Sequence, residues 1–178
     1  MKSNFFKTFL IFLLLLSIFS FIGANPFKGK PLDQKSFWAL DEDASKDLPH
    51  NFRDIPLLNI SGSGQFTANQ IENLKNKLDK PNICIVDLRQ ESHGLVADLA
   101  ICYHNSYKVI NNGFSTNETL KAEKELLGKI KASAPLNVFH KHGKVYKEIA
   151  PTAISTEEAL VKDNCMEYKR FAVLDNSI

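Results

Sequence analysis

Residues 83–88, Ile-Cys-Ile-Val-Asp-Leu, form an apolar run that breaks abruptly into Arg89, Gln90, Glu91, Ser92 and His93 and closes on Gly94. Short runs of this kind, rich in β-branched side chains, are predicted to be strands buried on both faces of a sheet. In open α/β sheets, reactive side chains collect just past the carboxyl ends of such strands. Arg89 to His93 fall at that place, so the expected fold class is α/β with chemistry at one sheet edge.

The N-terminus points to export. Lys2 and Lys7 precede an apolar stretch over 9–22, broken only by Ser17 and Ser20, and then Gly23-Ala24-Asn25-Pro26. These are the charged, apolar and small-residue parts of a secretory signal peptide, with cleavage expected after Ala24 and a periplasmic or secreted product. The alternative is a chain that stays membrane-anchored through 9–22. Removing residues 1–24 takes away two lysines and no acid, which leaves 20 cations against 20 anions. A neutral chain gives no argument for a nucleic-acid partner. Residues 25–178 suffice for one domain with a sizeable core. The three cysteines, Cys84, Cys102 and Cys165, are odd in number with no CxxC spacing, so no disulfide framework is implied, although one bridge with a free thiol is the alternative. Cys84, inside the apolar run, reads as a small buried hydrophobe.

Along the chain, residues 25–50 show no sustained period and are expected to be an extended leader, peripheral to the domain. Residues 57–60 are a strand candidate, followed by Ser61-Gly62-Ser63-Gly64 as a turn. Thr67 with Gln70, and Ser115 with Glu118, have capping-box spacing. They predict one helix with Ile71, Leu74 and Leu78 on its apolar face, and another with Leu120, Leu127 and Ile130. Residues 97–107 are expected to be irregular strands. Residues 138–140 and 145–149 read as two strands around His140-Lys141-His142-Gly143. Ser155 with Glu158 starts a third helix, and 171–174 form a last strand ending at Asp175. That strand lies far from 83–88, with helices between, so the two are expected to pair in parallel. Asp175 would then open onto the edge that carries Arg89 to His93.

These residues, with Asn51-Phe52-Arg53 and 60–66 before them and Thr156-Glu157-Glu158 through Tyr168-Lys169-Arg170 after them, resemble the phytase-like branch of the protein tyrosine phosphatases. That branch holds cysteine-dependent inositol polyphosphate phosphatases and related bacterial effectors. The resemblance runs from about Asn51 to Ile178, and its most specific piece is Asp87-Leu88-Arg89-Gln90-Glu91-Ser92-His93-Gly94. It implies a tyrosine-phosphatase-like sheet flanked by helices, here incomplete, with part of a small β subdomain. By position, Asp175 matches the family's general acid, and Arg53 matches an arginine that contacts the phosphorylated substrate. Lys141 and His142 match a pair at the mouth of the pocket. Arg89, Glu91 and His93 match the loop that supports the phosphate-binding loop. The sequence departs from the family pattern at Asn176, where a histidine is usual, at Gly143, where a second lysine is usual, and at Lys108, where an aspartate is usual.

A cysteine phosphatase needs a thiolate cradled by backbone N–H groups, an arginine that grips the phosphoryl oxygens, and an acid that protonates the departing oxygen. The first two appear in sequence as Cys-x5-Arg. The sixth residue after Cys84 is Gln90, after Cys102 it is Lys108, and after Cys165 it is Phe171. The resemblance puts the missing loop beyond Ile178. The expected organisation is therefore a signal peptide over 1–24, a leader over 25–50, and the first part of a phosphatase domain over 51–178, cut before its phosphate loop and inactive alone. Its expected ligand is an inositol phosphate or a phosphoprotein. One alternative is an exported binding module for inositol phosphates or anionic headgroups. Another is a separate C-terminal fragment that supplies the loop.

No cofactor or metal is expected. His140 and His142 offer two ligands without a third, and Ser61 to Gly64 lacks the Gly-Lys-Ser/Thr of a nucleotide loop. Outside the resemblance, Arg53 is an ordinary surface arginine and Asp175 a frayed end.

Overall fold

The computed structural model describes residues 36–105 and 110–173. All of them lie in the second of the chain's two units, Asp33–Ile178. The expected signal segment, Lys108 and Asp175 fall outside the described residues. In chain order the elements are β1 (Phe37–Glu42), β2 (Arg53–Ile55), β3 (Ile60–Gly62), α1 (Ile71–Leu78), β4 (Cys84–Arg89), β5 (His93–Val96) and β6 (Leu99–His104). They continue with α2 (Thr116–Gly128), β7 (Leu136–Phe139), β8 (Val145–Ile149), α3 (Glu157–Asp163) and β9 (Glu167–Val173).

The fold is α/β and has two cores. A five-stranded mixed sheet, ordered β5-β6-β1-β7-β8, packs Trp38, Val96, Leu99, Ile101, Val138 and Ile149 with Leu127 of α2. A parallel pair, β4 with β9, shares a second core with α1 and α3 through Ile71, Leu74, Val161, Met166, Ile85 and Tyr168. The parallel pairing expected from sequence is present, with Asp87 level with Arg170.

β1 corrects the reading of residues 25–50 as a peripheral leader for the described part, since residues 25–35 lie outside the described residues. It is extended, but it is the middle strand of the larger sheet, and Ala39 pairs with Cys102 on one side and Phe139 on the other. Its burial has no period of two: Trp38 and Ala39 are buried in succession, and so is Glu42. The Glu42 carboxylate accepts from the backbone N–H groups of Asp43 (3.1 Å) and His50 (2.7 Å), so an acidic residue serves the turn that follows the strand. Alternation signals a strand only where one face is wet, and here neither face is.

β4 departs from expectation in the opposite sense. The run 83–88 was expected to be buried on both faces, but Val86 is 52% and Leu88 57% exposed, and Cys84 is exposed rather than buried. Asp87 is the buried member. Among the described residues β4 pairs only with β9, whose Phe171 and Val173 are also exposed. Apolar composition says that a strand wants cover; whether cover arrives depends on other segments.

Of residues 57–60 only Ile60 is strand, as the first residue of β3. Pro56, with no N–H to give, opens a 3-10 turn over Pro56–Leu58, and Asn59 closes it in the left-handed region. β2 and β3 flank this turn as a two-stranded ribbon, so Ser61 and Gly62 are strand rather than turn. Leu57 at the tip is 95% exposed.

Helix starts follow the local chemistry. Ser115 and Glu118 form a full capping box. Gln70 completes half of one, its side-chain oxygen accepting from the Thr67 N–H at 3.0 Å. The cap of α3 is Thr156 rather than Ser155, because the Ser155 backbone is already bonded both ways to Leu95. The buried stripe of α2 is Thr119, Glu123 and Leu127 rather than Leu120, Leu127 and Ile130. No described helix is long and apolar enough to cross a membrane.

Of residues 97–107, those up to 105 prove more regular than expected, and 106–107 lie outside the described residues. β5 and β6 form a tight hairpin at Ala97-Asp98, with Ala97 in the left-handed region and the rest of 93–102 buried. Gly94 lies where α2 meets β5. A Cβ there would fall 2.7 Å from Leu127 Cδ1 and 2.9 Å from the Ser155 carbonyl oxygen. Gly94→Ala should therefore lower stability by about 1–3 kcal/mol, read as a drop in the urea midpoint; an unchanged midpoint would mean that α2 shifts freely.

Candidate functional site

Arg89, the last residue of β4, is held at each of its donor groups. Nη2 lies 2.5 Å from Asp41 Oδ2 on β1, Nη1 donates to Gln65 Oε1 at 2.9 Å, and Nε donates to Glu91 Oε1 at 3.0 Å. The other oxygen of Asp41 lies 2.7 Å from Nζ of Lys141, in the turn between β7 and β8. Burial alone would push the Asp41 carboxyl up, but Arg89 and then Lys141 overcome it and hold it at about 2. Lys141 is raised by the same pairing despite its burial.

The connection from Arg89 to β5 is tightly bonded. Asp87 Oδ1 accepts the Arg89 N–H at 2.9 Å, and the Gln90 side chain donates to the Asn111 carbonyl at 2.5 Å. Asn111 returns bonds to the Gln90 carbonyl (3.1 Å) and Ser92 Oγ (2.9 Å).

Behind this loop lies a buried ionic cluster drawn from five elements. Arg170 of β9 donates Nη1 to Glu123 Oε2 of α2 (2.8 Å) and lies 3.1 Å from Asp87 Oδ2 of β4. Its Nε and Nη2 donate to the carbonyls of Arg89 (2.9 Å) and Glu91 (2.8 Å). Tyr168 donates to Asp87 Oδ2 at 2.6 Å. His93 of β5 is fully buried, with Nε2 3.1 Å from Asp87 Oδ2 and 3.6 Å from Glu157 Oε2 of α3, and Nδ1 3.1 Å from the Glu91 carbonyl.

Both ring nitrogens of His93 thus face acceptors, an arrangement that favours the imidazolium. Burial and Arg89 oppose that charge, but Asp87, Glu123 and Glu157 prevail and raise the His93 pKa. Asp87 is held below the ordinary carboxylate range, because the hydrogen bond and charge of His93, then Arg170 and Tyr168, outweigh its burial. Glu157 goes the other way: burial pushes it up to about 7, against the pull of His93 and with the help of Asp87.

Asp87, His93 and Glu157 bring three donor atoms within 4.8 Å of one another. They do not fit a metal, because Arg170 Nη1 already lies among them, 3.1 Å from Asp87 Oδ2 and 3.5 Å from His93 Nε2. The guanidinium supplies the positive charge that such a set would otherwise seek.

Of the residues singled out in sequence, Arg89 and Glu91 pair directly, and Arg89 reaches Lys141 through Asp41. His93 enters the buried cluster rather than facing solvent. Arg53 is exposed on β2, and His142 is exposed beside Lys141. No hydrogen bond or ion pair joins Arg53 to Lys141 or His142 among the described residues.

Sequence reasoning missed Asp41, which lay in the supposed leader, and Glu123. For Glu123 there was a signal: it sits one turn from Thr119 and one from Leu127, so an acid occupies the core face of α2.

The architecture matches solved structures. A tandemly repeated protein tyrosine phosphatase-like phytase from Mitsuokella multacida superposes with a TM-score of 0.70 at 25% identity over 85% of this chain. A PTP-like myo-inositol phosphatase from the same organism, in complex with myo-inositol-(1,3,4,5)-tetrakisphosphate, gives 0.71 at 26% over 85%. A PTP-like phytase from Bdellovibrio bacteriovorus gives 0.65 at 26% over 84%. The chain is related to the PTP-like phytases. It spans 31% of the length of each Mitsuokella chain and 54% of the Bdellovibrio chain. No protein-family model and no curated protein matches the sequence. This PTP-like phytase relationship was legible in the Asp87-to-Gly94 segment, which the fold places at the end of β4 and the start of β5.

Proposed function

We propose that this chain carries the part of a phytase-like phosphatase domain that recognises a phosphorylated small molecule, with an inositol polyphosphate as the ligand class, and that its 178 residues do not hydrolyse that ligand unaided. The observation that carries the reading is the fold match over 85% of the chain to a phosphatase held with an inositol tetrakisphosphate. Arg53 and Lys141 supply cations for the phosphates and His142 a ring N–H donor, and their exposure leaves them accessible. Arg89, Glu91 and His93 form a stiff support, tied to Lys141 through Asp41. Asp175 has the place of the general acid by resemblance. The composition of residues 1–24 supports export, with a membrane anchor through 9–22 as the alternative.

Hydrolysis needs a nucleophile as well as binding groups, and the two act as a unit. No cysteine in these residues has an arginine six places on. Cys102 is buried beneath Asp41, and its thiol is pushed up to about 12, so it is not a substitute thiolate.

Titrating the 178-residue chain with inositol hexakisphosphate, by calorimetry and with parallel phosphate-release assays, tests both halves of this reading. Binding should be measurable, and Arg53→Ala should weaken it by about tenfold, the worth of one charged hydrogen bond. No phosphate should be released. Thiol-dependent turnover would overturn the inactive half, and the absence of heat would overturn the binding half.

A further inference from the structure

We propose that Asp41 is a positioning residue for the phosphate-binding mouth. It holds the Lys141 ammonium aimed and ties it to the Arg89 loop. This inference rests on the reading of Lys141 as a phosphate ligand.

Asp41 is part of the central strand, and its side chain is only 8% exposed. Arg89 fixes one of its oxygens and is itself fixed by Gln65 and Glu91, so the carboxylate cannot rotate without breaking a bonded set. Its second oxygen is left facing Lys141 at 2.7 Å. Lys141 stands on a turn at the end of a flexible four-carbon stem, and its side chain is 54% exposed. Unpaired, such a stem samples many rotamers and loses that freedom when a ligand arrives. Paired to Asp41, it has lost the freedom in advance, and the ammonium keeps donors for a second anion. The same ion pair raises the Lys141 pKa against its burial.

A mere opposing anion at this place would predict the reverse, since removing it would strengthen attraction for a polyanion. The test is therefore a double-mutant cycle on the 178-residue chain titrated with inositol hexakisphosphate. Asp41→Asn should weaken binding by about fivefold. Lys141→Ala should weaken it as well, and the double variant should be no weaker than Lys141→Ala alone. Tighter binding by Asp41→Asn overturns the proposal. So does a further loss in the double variant, which would mark Asp41 as merely structural. NMR titration of 13C-labelled lysines gives a readout that needs no ligand: the raised Lys141 pKa should fall in Asp41→Asn, and an unchanged value overturns the proposal. If the wild-type chain binds no inositol hexakisphosphate, the ligand reading fails, and the lysine titration still decides whether Asp41 holds Lys141. Trp38 fluorescence confirms that each variant is folded.

Discussion

Replacing Arg170 with alanine is expected to cost on the order of 3–5 kcal/mol of folding stability, the largest single-residue effect argued for this chain. The Arg170 side chain is 1% exposed and meets two carboxylates and two carbonyls. Alanine would leave Asp87 and Glu123 buried without their cation, and the carbonyls of Arg89 and Glu91 without a donor. Removing one partner of a buried pair costs more than removing both, because the remaining charge has lost its water and its partner together. A variant that also carries Asp87→Asn and Glu123→Gln should therefore recover part of the loss. Arg170→Lys should fall between wild type and alanine, since a point charge with three donors cannot reproduce a planar fork that reaches four acceptors. Urea unfolding followed by Trp38 reads all four chains, because this is the only tryptophan in the sequence and it is buried in the larger core. A loss for Arg170→Ala below about 1 kcal/mol, the level of a surface pair, would show that the cluster is not the clamp its geometry describes.

That cluster also shows how far the sequence could be read. The capping box at Ser115 and Glu118, the hairpin around Lys141 and the parallel pairing of β4 with β9 depend on local spacing or chain topology, and they are present. The Asp87-to-Gly94 segment pointed to its family by residue identity. Partner choice could not be read in the same way. Arg89 meets Asp41 because β1 enters the middle of the larger sheet, and nothing within 37–42 announces that position. His93 could be singled out in the sequence, but its burial among Asp87, Glu123 and Glu157 depends on four elements converging. The exposure of Val86 and Leu88 has the same origin in reverse: their composition asks for cover that no described segment supplies. The proposed acid, Asp175, lies outside the described residues.

Stability should peak on the acid side of neutrality and fall as the pH rises through 7, a dependence set by the count of charges in the buried cluster. Three carboxyl groups, Asp87, Glu123 and Glu157, face two cations, Arg170 and His93. With all five ionised, one negative charge is left over in a space that solvates it poorly, so one carboxyl retains a proton, and Glu157 is raised to about 7. A group whose folded pKa is raised contributes stability that is fully present below its unfolded value, near 4.5, and is lost as the pH climbs through the folded one. For Glu157 that loss is about 3 kcal/mol across the window. His93 is also raised, so its contribution is complete below about 6.5 and fades above its folded pKa, in the same direction. Asp87 and Asp41 have the opposite sign. Their pKa values are depressed, so their contribution is present above about 4 and is lost as the pH falls, through about 2 for Asp41. The two sets leave a maximum near pH 4–5. Urea midpoints measured from about pH 3 to 9 for the wild type and Glu157→Gln separate the contributions. Glutamine keeps the shape and cannot ionise, so the variant should show a shallower decline between about pH 4.5 and 7 and gain on the wild type as the pH rises. Parallel profiles for the two chains would mean that Glu157 is ionised throughout and that the surplus proton resides elsewhere.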